Sequence, residues 1–167
     1  MIKKILFNKM IMRIVFILDL VLRKFSNYRN YSRLYYLIPN RGRNIIFDKT
    51  TTFKYPENII VGDDVKIGPN VSIGAFGGVV LGNNVRISQN AIIESAGLDL
   101  KSNIPYKHKG SRVIIEDDVW IGGSAVINQG VTIGARSVIA ANSVVNHDVP
   151  PGCLYGGAPA KLIKRLD

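Results

Sequence analysis

Cysteine and histidine are scarce in this chain of 167 residues. The single cysteine, Cys153, excludes an internal disulfide framework and a cysteine-built zinc site, which suits a reducing compartment such as the cytoplasm. The two histidines, His108 and His147, are too few for a zinc ion held by three imidazoles. We therefore expect a cytoplasmic protein without a metal site.

Acidic residues are scarce at one end of the chain only. Residues 1–43 hold ten Lys/Arg and one acid, whereas residues 44–167 hold twelve Lys/Arg and eleven acids. Most of the net charge of +10 therefore belongs to the N-terminal segment. A nucleic-acid-binding protein is expected to spread basic residues over a folded face. This distribution argues against a nucleic-acid partner and favours contact with an anionic surface.

The N-terminal segment has no uninterrupted apolar run. A transmembrane helix needs roughly 20 mostly apolar residues, but Arg13 and Asp19 interrupt the run between Met1 and Leu22. The apolar residues recur at spacings of three and four, which predicts an amphipathic helix. Two alternatives follow for residues 1–37: peripheral contact with an anionic membrane, or packing against the body or a neighbouring subunit.

Beyond Ile59 the apolar residues recur every six positions. A helix requires apolar spacings of three and four, and a strand requires a spacing of two. A period of six predicts short extended segments separated by turns, which is the signature of a parallel β-helix with coils stacked about 4.8 Å apart. The predicted inward positions are Val61, Ile67, Ile73, Leu81, Ile87, Ile93, Ile115, Ile121, Ile127, Ile133, Ile139 and Val145.

The segments "VWIGGSAVINQGVTIGARSVIAANSVV" and "VPPGCLYGGAPAKLI" resemble the hexapeptide acyltransferases, in particular the maltose, galactoside and polysaccharide O-acetyltransferase branch. The resemblance covers about residues 59–164. It implies a left-handed β-helix, a homotrimer, and acetyl-CoA bound in a groove between adjacent prisms. We expect a mainly β fold with a helical segment at 1–43, a β-helix at 44–167, a projecting loop at 97–112 and a short C-terminal helix.

The resemblance also implies a general base, an imidazole that takes the proton from an acceptor hydroxyl or amine as it attacks the thioester. Ungapped matching puts Leu98 where the family has this histidine, and Leu98 cannot accept a proton. His108, further along the same loop, is the candidate base. Two alternatives remain: Glu94, Asp99 or a water takes this role, or the protein binds CoA or a sugar without catalysis.

The other candidate site residues come from the same resemblance. For the acceptor, Asn70 matches a family asparagine, Phe76 stands where some relatives have an acid, and Leu98 and Tyr106 lie on the loop. The basic loop residues Lys107, Lys109 and Arg112 would face an anionic group, such as the phosphates of CoA or of a nucleotide-linked or lipid-linked sugar. The residues that match the cofactor groove are Trp120, Gly122, Ser124, Ala140, Ala141, Lys161 and Arg165.

The resemblance therefore implies an enzyme that moves an acetyl group from acetyl-CoA to a sugar hydroxyl or amine in surface polysaccharide or glycan biosynthesis. The alternative is a hexapeptide-repeat scaffold that keeps the prism and has lost the chemistry. Leu98 and Phe76 favour this alternative, whereas Asn70, Trp120 and the C-terminal motif oppose it.

Overall fold

The computed structural model describes residues 9–166 as one helix followed by a β-rich body. The helix, α1, spans Lys9–Leu37, and a 3₁₀ turn lies at Pro56–Asn58. The strands within these residues are β1 (Asn40–Arg41), β2 (Ile46–Phe47), β3 (Thr52–Lys54), β4 (Ile59–Val61), β5 (Lys66–Ile67), β6 (Ser72–Gly74), β7 (Val79–Leu81), β8 (Arg86–Ile87), β9 (Ile92–Glu94), β10 (Ala96–Asp99), β11 (Lys107–Gly110), β12 (Val113–Ile115), β13 (Trp120–Ile121), β14 (Val126–Ile127), β15 (Thr132–Ile133), β16 (Val138–Ile139), β17 (Val144–Val145), β18 (Cys153–Gly157) and β19 (Ala160–Arg165).

The short strands of successive coils pair in parallel and form three faces. The first face contains β1, β4, β7, β12 and β15; the second contains β2, β5, β8, β13, β16 and β18; the third contains β3, β6, β9, β14 and β17. Each coil visits the faces in this order, so the body is a triangular prism, and the predicted parallel β-helix is confirmed. We name the first, second and third corners after the face that precedes each of them.

The core of the prism is the predicted six-residue series. All twelve predicted inward positions are at most 4% exposed. Burying one Ile or Val side chain stabilises the folded state by roughly 1.5–3 kcal/mol. Because the coils stack, these side chains form one continuous core along the prism axis. The repeat therefore identifies the residues that form the core of the prism.

Polar residues at the corners have a conformational role. Asp64, Asn84 and Asp118 at the first corner, and Asn70 and Asn90 at the second, have φ between 54° and 60°. Apart from glycine, Asn and Asp are the residues that adopt this left-handed backbone conformation most readily. These positions are therefore explained by corner geometry without a ligand.

The length of a coil changes along the chain. Paired residues are 20 apart in the early coils, as for Asn40 and Ile60, and 18 apart in the last coils, as for Ile114 and Thr132. Between them, the pairing of Val79 with Val113 spans 34 residues. The additional residues leave the coil at the third corner as the hairpin β10–β11.

The C-terminal segment differs from the prediction. The sequence predicts a short helix there, but Ala160–Arg165 forms strand β19, which pairs antiparallel with β18. Strand β18 is the last parallel strand of the second face, and its outer edge would otherwise leave backbone N–H and C=O groups unpaired. Pairing with β19 satisfies this edge, which a helix would not do.

The helix α1 continues beyond the apolar run that ends at Leu22, and it does not lie on the prism. Its end is attached, because Leu37 packs against the core and Ile38 is fully buried. The large apolar side chains from Met12 to Phe25 are 44–65% exposed. Packing of the helix against its own body, one of the predicted alternatives, is therefore wrong. No helix within residues 9–166 is long and apolar enough to cross a membrane.

Candidate active site

The hairpin β10–β11 carries the candidate base. Its strands pair antiparallel, with Leu98 directly opposite His108 and Asp99 opposite Lys107. Directly opposed residues project from the same side of an antiparallel pair. His108 and Leu98 therefore share one side of the hairpin, and both are exposed. Tyr106 lies at the tip, just before β11.

The base of the hairpin is fixed to the preceding coil through Ser95. The Oγ of this buried serine accepts a hydrogen bond from the Gly77 N–H (2.9 Å) and donates one to the Gly74 carbonyl (2.9 Å). The Ser111 N–H donates to the Ser95 carbonyl at 2.9 Å. A Cβ at Gly77 would lie 2.5 Å from the Ser111 nitrogen, so the hairpin packs closely here only because Gly77 has no side chain.

Three rings follow one another along the third corner. The centroid of the His108 ring lies 6.1 Å from that of Phe76, which lies 5.5 Å from that of Tyr55. The Tyr55–Phe76 pair has the edge-to-face arrangement that aromatic pairs favour. These rings border a cleft of about 270 Å³, whose lining residues are Lys54, Tyr55, Phe76, Glu94, Ala96 and His108.

Glu94, one of the alternative bases, lies in the same cleft as His108. Its carboxylate occupies the space that a side chain at Gly74 would fill, and its Oε1 accepts a hydrogen bond from the Ala96 N–H at 3.0 Å. The cleft is therefore lined by a histidine, a glutamate and a lysine beside two aromatic rings. This set can hold a polar ligand with an apolar surface and can exchange a proton with it.

The other basic loop residues lie elsewhere. Lys107 and Lys109 alternate with His108 along β11 and therefore point to the other side of the hairpin. Arg112 lines a second cleft, of about 320 Å³, on the far side of Phe76. Its guanidinium lies against Gly78, where a Cβ would be 3.2 Å from Nε. Of the three predicted anion-binding residues, only Arg112 borders a cleft next to the aromatic rings.

The predicted cofactor residues lie on the second face and the second corner. Trp120 is on β13, is 54% exposed, and donates a hydrogen bond from Nε1 to the Ser88 Oγ at 3.0 Å. Gly122 and Ser124 follow at the second corner, and Ala140 and Ala141 occupy the same corner one coil later. A Cβ at Gly122 would lie 2.6 Å from the Ala141 nitrogen, so coil stacking alone requires this glycine.

Lys161 and Arg165 extend this group at the end of the prism. Both are exposed on β19, where they pair with Gly156 and Cys153 of β18. The cofactor residues thus occupy the later coils of the second face and its corner. The third face separates them from the cleft of His108 within one chain.

Asn70 lies at the second corner rather than in the cleft of His108. Its N–H donates to the Thr50 Oγ1 at 2.7 Å, and its Nδ2 donates to the Asn90 Oδ1 at 3.3 Å. The predicted acceptor residues are therefore divided: Asn70 is on the corner of the cofactor residues, and Phe76, Leu98 and Tyr106 are on or beside the hairpin.

Two carboxylates whose pKa values are lowered form hydrogen bonds within turns of the prism. Hydrogen bonds from the backbone N–H and the hydroxyl of Thr50 lower the pKa of Asp48, and hydrogen bonds from the backbone N–H and the guanidinium of Arg43 lower the pKa of Asp63. Neither residue lines the clefts at the third corner. Within residues 9–166, no group of three His, Cys, Asp or Glu side chains could hold a metal ion.

Comparison with known proteins agrees with this geometry. A family model described as bacterial transferase hexapeptide (six repeats) matches residues 112–147, and one described as hexapeptide repeat of succinyl-transferase matches residues 58–95. The crystal structure of a hexapeptide-repeat-containing acetyltransferase from Vibrio cholerae superimposes with a TM-score of 0.80 at 37% identity, covering 84% of this chain and 81% of that one. The chain belongs to the hexapeptide-repeat acetyltransferase family. The expected left-handed winding of the prism is shared with this family.

Other members of the hexapeptide-repeat family include both O- and N-acetyltransferases. The galactoside O-acetyltransferase of Escherichia coli K12 is 32% identical over 130 residues, which are 75% of this chain and 63% of the relative. A 2,3,4,5-tetrahydropyridine-2,6-dicarboxylate N-acetyltransferase of Clostridium perfringens is 61% identical over 54 residues, which are 32% of this chain and 23% of the relative. The chain thus spans less than two thirds of these curated relatives. The Vibrio cholerae protein has also been crystallised with acetyl coenzyme A (TM-score 0.67, 34% identity, covering 84% of this chain and 78% of that one).

Sequence reasoning missed Tyr55 and Asn90. Tyr55 and Phe76 both follow a strand of the third face, so the 20-residue coil length, read from the early repeats, would have placed the tyrosine near Phe76. Asn90 occupies the same corner as Asn70, on the coil from which the hairpin projects. The six-residue period assigns each of these residues to a corner. Only the register between coils shows which residues are neighbours at that corner.

Proposed function

We propose that the protein transfers an acetyl group from acetyl-CoA to a hydroxyl or an amine of a sugar. Family membership and the acetyl-CoA complex of the Vibrio cholerae protein support the donor. The observation that carries the proposal is the cleft at the third corner, where His108 and Glu94 line the same space as the rings of Tyr55 and Phe76. An imidazole next to an apolar wall matches what a sugar acceptor requires.

In the proposed reaction His108 acts as a general base. The imidazole takes the proton of the acceptor O–H or N–H while the acceptor oxygen or nitrogen attacks the thioester carbonyl. The carbon–sulfur bond then breaks, and CoA leaves as a thiolate that takes up a proton. Cys153 is buried and 1% exposed, so a covalent acyl-cysteine intermediate is not part of this scheme.

The aromatic rings supply the acceptor site in this proposal. A pyranose ring presents C–H groups that stack on an aromatic face, and Tyr55 and Phe76 together provide such a surface next to the base. Lys54 and Glu94 are placed to bond the sugar hydroxyls. Phe76, which departs from the acidic residue of some relatives, thereby gains a role as a wall of the acceptor cleft.

We further propose a homotrimer with acetyl-CoA between adjacent prisms. The cofactor residues at the second corner and His108 at the third corner lie on opposite sides of the third face. Two copies that meet corner to corner would bring Trp120, Ser124 and Ala141 of one copy to the hairpin of its neighbour. The exposed side chains of Leu98, Leu100 and Ile104 on the hairpin are suited to such a contact.

The proposed setting is the biosynthesis of a surface polysaccharide or another glycan in the cytoplasm. The acceptor would be a free, nucleotide-linked or lipid-linked sugar. Arg112 in the second cleft and Lys54 in the first are cations near the proposed acceptor site that could pair with the phosphates of such carriers.

The second candidate function is a non-catalytic scaffold that binds CoA or a sugar. Leu98 favours it, because it stands at the family's histidine position and cannot accept a proton. The two functions differ in turnover, since a scaffold binds without releasing CoA.

The test is CoA release from acetyl-CoA by the full chain, measured with a thiol reagent, in the presence of galactosides, maltose and amino sugars. We expect at least one of these acceptors to raise the rate above that of acetyl-CoA alone. His108→Ala should then lower kcat/KM about 10²–10⁴-fold, the usual contribution of a general base. His147→Ala, which removes an exposed imidazole 6.0 Å from the Tyr155 ring, should leave the rate unchanged.

Two results would contradict the proposal. A wild-type rate in the His108→Ala variant would remove this residue from the base role. Absence of acceptor-dependent CoA release with all the acceptors, by a protein that binds CoA, would favour the scaffold.

A further inference from the structure

The helix α1 presents an extensive apolar surface that the prism leaves uncovered. It joins the prism only at its C-terminal end, where Leu37 packs against the core and Ile38 is buried. Among the side chains that the structure describes between Met12 and Tyr36, twelve large apolar or aromatic ones are exposed. Water contact with so much apolar surface on a single helix is unfavourable, and exposed patches of this size mark interaction sites.

These side chains are not evenly distributed around the helix. Positions three and four apart lie on one side of an α-helix, which defines an apolar side that consists of Ile14, Val15, Ile17, Leu18, Val21, Leu22 and Phe25. Arg13 lies toward the opposite side, whereas Lys24 lies at the margin of the apolar side next to Ile17, and both are exposed. Phe16 and Leu20 also lie on that opposite side. The helix is therefore amphipathic in part: basic residues flank a broad apolar side, and the opposite side also carries two apolar residues.

The charge of the segment identifies the partner. Residues 1–43 hold ten Lys/Arg and one acid, and within α1 alone the balance is six Lys/Arg against Asp19. Association of α1 with its own copies would bring these like charges together without compensating acids. A helix bundle would also cover only a narrow seam, which leaves Val15, Ile17 and Leu22 at the margins of the apolar side partly exposed.

We propose that the apolar side of α1 lies in the interface of an anionic lipid bilayer, with its basic residues next to the lipid phosphates. A bilayer covers the full width of the apolar side, and acidic headgroups supply the negative charge that the chain lacks here. Tyr28 and Tyr36 are exposed on the following turns, where phenol rings are suited to the headgroup region. The helix would hold the prism at the membrane surface, whatever reaction the prism catalyses.

The test is flotation of the full chain with vesicles of phosphatidylcholine alone or mixed equally with phosphatidylglycerol. We expect binding to the mixed vesicles, weaker binding at high salt, and little binding to phosphatidylcholine alone. The double variant Leu18→Glu/Leu22→Glu changes the apolar side. Its matched control, Phe16→Glu/Leu20→Glu, introduces the same charge on the opposite side. The first should weaken vesicle binding by about tenfold or more relative to its control, because apolar burial governs the affinity of interfacial helices.

The outcomes distinguish lipid from a second copy. Failure of the wild-type chain to bind the mixed vesicles would overturn the proposal, as would equal binding by the two double variants. Light scattering in the absence of lipid gives a further check. If the wild-type oligomer is larger than that of Leu18→Glu/Leu22→Glu, the apolar side is an interface between copies, and the lipid proposal is wrong. Equal masses, together with selective vesicle binding, support it.

Discussion

Gly77 illustrates at the scale of a single residue how the third corner accommodates the hairpin. The backbone at Gly110 and Ser111 passes so close to Gly77 that a Cβ there would lie 2.8 Å from the Gly110 carbonyl carbon and 2.5 Å from the Ser111 nitrogen. Both contacts are to backbone, which cannot rotate away as a side chain can. A methyl group at this position must therefore displace the base of the hairpin that carries His108.

We predict that Gly77→Ala lowers the free energy of unfolding by roughly 1–3 kcal/mol, the usual cost of an added methyl group in a packed site. Gly123→Ala is the matched control, because a Cβ there meets its nearest atom, the Gln89 carbonyl oxygen, at 3.5 Å, an ordinary contact. Urea denaturation of both variants measures the difference. Equal stability of the two variants would mean that the hairpin does not pack on Gly77 as described.

The residues of the core could be predicted from the sequence, whereas those of the cleft could be predicted only in part. The burial of Ile121 and Val145 follows from the six-residue period, which can be read from local spacing alone. Tyr55 and Phe76 meet because two coils of a given length stack in a given register. Register depends on pairing between distant strands, which a six-residue period does not specify.

The hairpin is the element on which the proposed chemistry depends, and its register places Leu98 opposite His108. Because the two residues are directly opposed, their side chains leave the same side of the hairpin. A base at either position therefore faces the same region. If His108 is the base, as proposed, the departure of this chain from the family pattern is a move of the imidazole across one strand pair.

We predict that Leu98→His restores part of the activity lost in the His108→Ala variant, at least about tenfold in kcat/KM, since an imidazole there again acts as a general base. Asp99→His in the same His108→Ala background is the control, because position 99 faces the other side of the hairpin. The acceptor assay with thiol detection compares the two double variants. Equal rates for both would show that the hairpin register does not determine the position of the base.

Two elements at the ends of the chain could not be derived in full from local pattern. The prediction of a helix for the β19 segment is wrong. This segment forms a strand because it pairs with the open edge of β18, and that edge exists only in the assembled prism. The helix α1 was recognised from its spacing, but whether its apolar side packs on the prism depends on the tertiary structure. In both cases the tertiary structure, and not the local sequence pattern, determines what the segment packs against.

At the scale of the whole molecule, one prism separates the two halves of the proposed site. The cofactor residues, among them Trp120 and Ala141, lie on the second face and corner, and His108 lies beyond the third face. A site that needs both must be formed between two copies. The family resemblance implies a cofactor groove between adjacent prisms, and the strand pairing adds which of the predicted residues lie on each corner.

Titration calorimetry of the full chain with acetyl-CoA tests this account most directly, with the mass of the same sample measured by light scattering. We predict a trimer that binds acetyl-CoA with micromolar or tighter affinity at about one site per chain. His108→Ala should bind equally well, whereas Ala141→Trp, which fills the exposed second corner, should abolish binding without unfolding the prism. A folded wild-type trimer that does not bind acetyl-CoA, or a monomer that binds it fully, would contradict a cofactor site shared between adjacent prisms.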